Sequence, residues 1–132
     1  MAGETNLEKL LVLMRPKLLP GTYVFCTVSN LSYVQLDELQ PLATYQETEG
    51  LSLLLEKSMA DREGYEYDAE FRGITLSVHS SLEAVGFTAA ISSKLAALDI
   101  SANIIAAHYH DHVFIPADKA ELALNALSEF QQ

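Results

Sequence analysis

Between Phe71 and Pro116 the hydrophobic period changes twice, and that alternation restricts the chain to a mixed α+β fold. In Ile74-Thr75-Leu76-Ser77-Val78-His79 apolar and polar residues alternate, the period-two pattern of a strand with one covered face. Ser80 and Glu83 follow at the S-x-x-E spacing of a capping box, in which the hydroxyl accepts one orphan helix N–H and the carboxylate folds back onto another. The spacing predicts a helix start there. Phe87, Ile91, Leu95 and Leu98, spaced by four, four and three, would form its apolar stripe, with Asp99 closing it. A strand is expected near 102–109, then a turn at His110-Asp111. The return strand Val113-Phe114-Ile115 is ended by Pro116, which has no ladder N–H to give.

Upstream, Thr5 and Glu8 repeat the capping-box spacing, and Leu7, Leu10, Leu11 and Met14 give a short helix an apolar face before Pro16 limits it. Pro20-Gly21 marks a turn, and the β-branched and aromatic run over 22–28 reads as a strand. Only a turn or two of helix, near 36–40, is expected before Pro41. Segments 44–48 and 51–55 read as a hairpin turning at Glu49-Gly50, and a short helix over 57–63 is closed by Gly64. From Tyr65 to Phe71 the large residues occupy odd positions, whereas from Ile74 the apolar residues occupy even ones. The slip at Arg72-Gly73 predicts a β-bulge or a break between two strands. A final helix starting at Asp118 and Glu121 carries Ala120, Leu124, Leu127 and Phe130 on one face. The order strand, helix, hairpin, helix thus occurs twice.

The segments VHSSLEAVGFTAA (78–90) and ISANIIAAHYHDHVFIP (100–116), with the weaker TYVFCTVS and ETEGLSLLLE before them, resemble the ACT domain and, within it, bacterial proteins carrying two ACT units in tandem. The resemblance covers most of the chain and is strongest after Phe71. It implies an α+β fold of two ferredoxin-like (βαββαβ) units, each with an antiparallel sheet and helices on one face. Residues 1–70 would hold the N-terminal helix and a degenerate ACT-like unit, and residues 71–132 the second unit. Two such units need eight strands and seven can be read, because nothing follows the helix ending near Phe130. The second sheet then has three strands, or its fourth comes from elsewhere in the chain or from a partner subunit.

With 132 residues the chain can bury a proper core. Eight Lys and Arg against 18 Asp and Glu give a formal charge of −10, which disfavours nucleic acid and anionic membrane surfaces as partners. No run approaches the roughly 18 apolar residues of a spanning helix, and the acidic start MAGETNLEKLL is unlike a signal peptide. A cytoplasmic protein is the expectation. The single cysteine, Cys26, lies in an apolar strand pattern and reads as a buried small hydrophobe.

His108-Tyr109-His110-Asp111-His112 offers three imidazoles and a carboxylate, ligands suited to zinc, nickel or iron. His112 lies beyond the expected turn, however, and the run is one residue short of the H-x-H-x-D-H of metal-dependent hydrolases, so no metal site or cofactor is assigned. Ser80, Ser81 and Glu83 lack a placed base, since His79 points to the opposite strand face, and neither a G-x-S-x-G elbow nor a phosphate loop is present. No catalytic residue is assigned. A loop feeding a helix N-terminus instead favours an anionic group such as an amino acid carboxylate. The resemblance adds Gly86, the glycine ACT units carry where the first loop meets the first helix, and Asn103, the asparagine early in the second strand of ligand-binding members. The candidate ligand set is therefore Ser80, Ser81, Glu83, Val85, Gly86, Phe87, Thr88 and Asn103. The reading is a homo-oligomeric, non-enzymatic regulator or sensor that binds a small molecule, an amino acid by family. The alternatives are a metal protein centred on the histidine run and a ligand-free dimerisation module.

Overall fold

The computed structural model describes residues 3–131. In chain order its elements are α1 (Leu7–Leu13), β1 (Pro16–Leu18), β2 (Tyr23–Val28), α2 (Tyr33–Leu39), β3 (Ala43–Gln46), β4 (Leu51–Glu56), α3 (Lys57–Glu63), β5 (Phe71–Leu76), α4 (Phe87–Ala96), β6 (Asn103–Ala106), β7 (Asp111–Pro116) and α5 (Ala120–Ser128). Short 3-10 turns, Ala117–Lys119 and Glu129–Gln131, flank α5. The chain forms two compact units. One is continuous, Gly21–Phe71; the other joins the residues before Gly21 to those from Arg72 onward.

In the continuous unit β4 lies between β3 and β2, all antiparallel, with Cys26 opposite Leu53 and Thr44 opposite Leu53 on the other side. Phe71 pairs with Tyr23 at the far edge of β2. Alternation sends Val24 and Cys26 of β2, and Leu53 and Leu55 of β4, to one face, where they pack with Leu39 of α2 and Ala60 of α3. Burial raises the Cys26 thiol pKa and keeps it inert. Helix α2 is fuller than expected, because Ser32 and Gln35 form a complete capping box. Gly64 closes α3 in the left-handed conformation, at φ 71°.

Segment 65–70 is not a strand. Tyr65 and Tyr67 pack against the core cluster, and the Tyr67 hydroxyl donates to Asp61 Oδ1 at 2.7 Å, so the segment is held by side chains rather than by a ladder. The phase slip at Arg72-Gly73 is not a break: β5 runs without interruption from Phe71 to Leu76. Glycine is needed at 73 for another reason. A Cβ there would lie 2.7 Å from the Phe114 ring, a distance that forces one of them to move.

The discontinuous unit has the sheet order β1-β5-β7-β6. The missing fourth strand comes from within the chain: β1 pairs antiparallel with β5, Lys17 opposite Thr75. It takes the sheet position that a strand after α5 would occupy in an uninterrupted βαββαβ unit. Leu19 N–H donates to the Gly73 carbonyl at 2.8 Å and Arg72 Nη2 to the Leu19 carbonyl at 3.0 Å, extending the junction. The core unites Leu10 and Met14 from the first helix with Ile74, Leu76, Phe87, Ile91, Leu95, Val113, Ile115 and Leu127.

Three cap assignments change. Asn6, rather than Thr5, caps α1 by accepting from Lys9 N–H. Helix α5 has no side-chain cap and is entered through a 3-10 turn. Helix α4 starts at Phe87, seven residues after Ser80, with Gly86 as its N-cap. Leu98 also leaves the expected stripe: α4 ends at Ala96, Asp99 turns the chain at φ 59°, Leu98 stays 41% exposed, and Ile100 is buried instead.

Candidate functional site

The loop between β5 and α4 carries most of the expected ligand residues, and its serines are already engaged. Ser80 is buried and donates its hydroxyl proton to Asp111 Oδ2 at 3.3 Å. Ser81 Oγ accepts from Glu83 N–H at 3.1 Å. The N-terminal segment runs beside this loop as a parallel bridge: Glu4 N–H donates to the His79 carbonyl and Ser81 N–H to the Glu4 carbonyl, both at 2.9 Å. Glu83, Val85 and Thr88 remain exposed, whereas Phe87 is a core residue.

Gly86 adopts φ 92° and caps α4 without any side chain reaching the first-turn amides. Such amides are orphan donors with the positive end of the helix dipole behind them, a setting for a carboxylate. A Cβ at Gly86 would meet Leu7 Cδ2 at 3.3 Å, so the glycine also permits close approach of the N-terminal helix. Asn103 opens β6, opposite Phe114, and its Nδ2 donates to the Phe114 carbonyl at 3.1 Å, which compensates an asparagine in a strand. Its side-chain amide nitrogen is thereby used within the hairpin.

The β6–β7 turn spans 107–110, and β7 starts at Asp111, two residues earlier than expected. The histidines lie along one run of ring contacts, which Tyr109 continues to His110 at 6.4 Å. His79, His108 and Tyr109 pack with centroids 4.8 to 6.2 Å apart, and His110 and His112 are 6.4 Å apart. His112 Nδ1 lies 3.0 Å from Thr75 Oγ1, and burial, with His110 beside it, lowers the ring's pKa below the usual imidazole value. Burial raises the Asp111 pKa, opposed by the Ser80 hydrogen bond. Among the described residues no group of three or more His, Cys, Asp and Glu side chains is placed to hold a metal ion.

The Ser80–Asp111 pair escaped the reading of the sequence. A signal for it was present: Asp111 shares the phase of Val113 and Ile115, so a strand starting one pair earlier sends its carboxylate to the covered face. No described helix is long and apolar enough to cross a membrane.

One ACT domain family model matches residues 2–72 and another matches residues 68–129. No curated protein sequence matches the chain. Among solved structures, a protein of unknown function from Vibrio cholerae, described as a possible transport protein, is 52% identical, with 96% of each chain covered and a TM-score of 0.87. A protein from Agrobacterium tumefaciens superposes with a TM-score of 0.71 at 14% identity, over 88% of this chain and 87% of that one. The regulatory subunit of aspartate kinase from Thermus flavus gives 0.66 at 12% identity, over 92% and 99%. The last two likenesses speak to the fold alone. With more than half of its length matched by the first family model and most of the rest by the second, the chain belongs to the ACT domain family, as two units in tandem.

Proposed function

We propose that this protein is a regulatory sensor of the ACT type that binds a small molecule, an amino acid, and has no catalytic activity of its own. The observation that carries the reading is the uncapped start of α4 behind the left-handed Gly86, in a chain built of two ACT units. The first-turn amides would take the ligand's carboxylate, and the exposed Glu83, Val85 and Thr88 rim the same loop. The protein acts in the cytoplasm as a homo-oligomer. Strand β6 pairs only with β7 among the described strands, which leaves an edge to which a second copy can add.

Isothermal titration against the twenty amino acids, with metal analysis of the purified protein alongside, tests this reading. Gly86→Leu should abolish binding of the amino acid found, because a bulky side chain on a strained backbone fills the approach to the amides. Asn103→Ala should weaken it by about 1–3 kcal/mol, the penalty for an unpaired polar group. Equal affinity for both variants and the wild type would move the site elsewhere. Stoichiometric metal that vanishes in the His108→Ala/His110→Ala variant would replace the sensor reading altogether.

A further inference from the structure

Asp111 is the one charged side chain in the buried class among the described residues, at 8% exposure. An ionised carboxylate has about four acceptor sites and, away from water, needs donors to fill them. Asp111 receives one side-chain hydrogen bond, from Ser80 at 3.3 Å, longer than the roughly 2.5–2.7 Å of a strong O–H···O⁻ bond. No described lysine or arginine forms an ion pair with it. The titratable neighbours beside it are His112 and His110, and burial lowers the pKa of His112. In its ionised form Asp111 is a buried negative charge with no lysine or arginine beside it, a costly arrangement that proteins keep at functional positions. The rings of His79 and Tyr109, with centroids 5.2 Å apart, belong to residues next to Ser80 and two before Asp111. Tyr109 is 62% exposed, with the His79, His108 and His110 rings around it, and the exposed part of an aromatic ring attracts a cation.

We propose that Asp111 receives the ammonium group of the ligand, with the Ser80 hydroxyl orienting its carboxylate and Tyr109 offering a cation-favouring face. The ligand is then a primary amine, recognised by charge at the β7 end of the unit. Its identification as an amino acid rests on the preceding section, but the need for a cation does not.

The test uses the full chain and two probe sets: the twenty amino acids, and carboxylate-free amines such as ethanolamine and putrescine. Asp111→Asn retains an oxygen to accept from Ser80 and removes the charge. Its melting temperature without ligand should equal or exceed that of the wild type, while affinity for the amino acid that binds should fall about tenfold or more. An amino acid held equally well by both proteins would overturn the role of Asp111 and leave the sensor reading standing. Amines that bind the wild type but not the variant, with no amino acid binding, would overturn the amino acid reading and keep Asp111. Silence in both probe sets would overturn both. If the variant does not fold, the Asp111 carboxyl ¹³C titration in the wild type decides: bound amine should lower its midpoint, and an unmoved midpoint would sink the proposal.

Discussion

At the scale of single residues, Asp111 and His112 are adjacent groups displaced in opposite directions by the same cause. Burial raises the carboxyl above its ordinary 3.8 and lowers the imidazole below 6.5. For His112 the unfolded chain takes up its proton first as the pH falls, so stability is lost below about 6.5, towards the folded value. For Asp111 the native state keeps its proton to higher pH, so stability falls as the pH rises from 3.8 through the folded value. His112→Asn retains a group able to bond the Thr75 hydroxyl and removes the imidazole. Urea midpoints should show that the variant loses less stability than the wild type as the pH falls below 6.5. Parallel pH profiles would mean that the ring is not held neutral by its surroundings.

At the scale of elements, local spacing identified helices better than it located their ends. S-x-x-E at Ser80 looked like a cap, but Ser80 is drawn to Asp111, 31 positions away, and α4 starts later at Gly86. The spacing at Ser32 and Gln35 is a true capping box; Ser32→Ala should cost about 1 kcal/mol by chemical denaturation, since the bond from Gln35 N–H to the Ser32 hydroxyl is lost. The stripe of α4 was legible through Phe87, Ile91 and Leu95, all buried. Leu95 is fully buried, so Leu95→Ala should destabilise the fold by about 2–5 kcal/mol. A midpoint shift worth under ~0.5 kcal/mol would place Leu95 outside the core.

At the scale of the whole molecule, the second βαββαβ unit is completed by a strand that the chain makes before it enters the first. Residues through Pro20 group with those from Arg72 onward, and α1 packs against the C-terminal turn Glu129–Gln131. A permuted chain starting at Gly21, with Gln131 joined through a short flexible linker to Gly3 and ending at Pro20, would make that unit continuous. It should fold with a native-like circular dichroism spectrum and a single cooperative transition, because exposed turns and close termini tolerate such rearrangement. A spectrum without native tertiary signal would show that β1 must form before β2 for the unit to assemble.

The tandem ACT character and the role of Gly86 were legible through resemblance to the family; the sequence by itself determined the features that depend on near neighbours: the α+β class, the hairpin of 44–48 and 51–55, and the apolar phase of β5 and β7. Those follow from periodicity and turn chemistry, which residues two to four apart decide. Tertiary structure alone decided that Pro16–Leu18 is a strand, since three residues beginning with proline carry no strand signal until β5 lies alongside to receive them. It likewise decided that Ser80 serves Asp111 and not a helix. A hydroxyl chooses among acceptors by distance in space, and which acceptor is near is settled by the packing of β7 against β5.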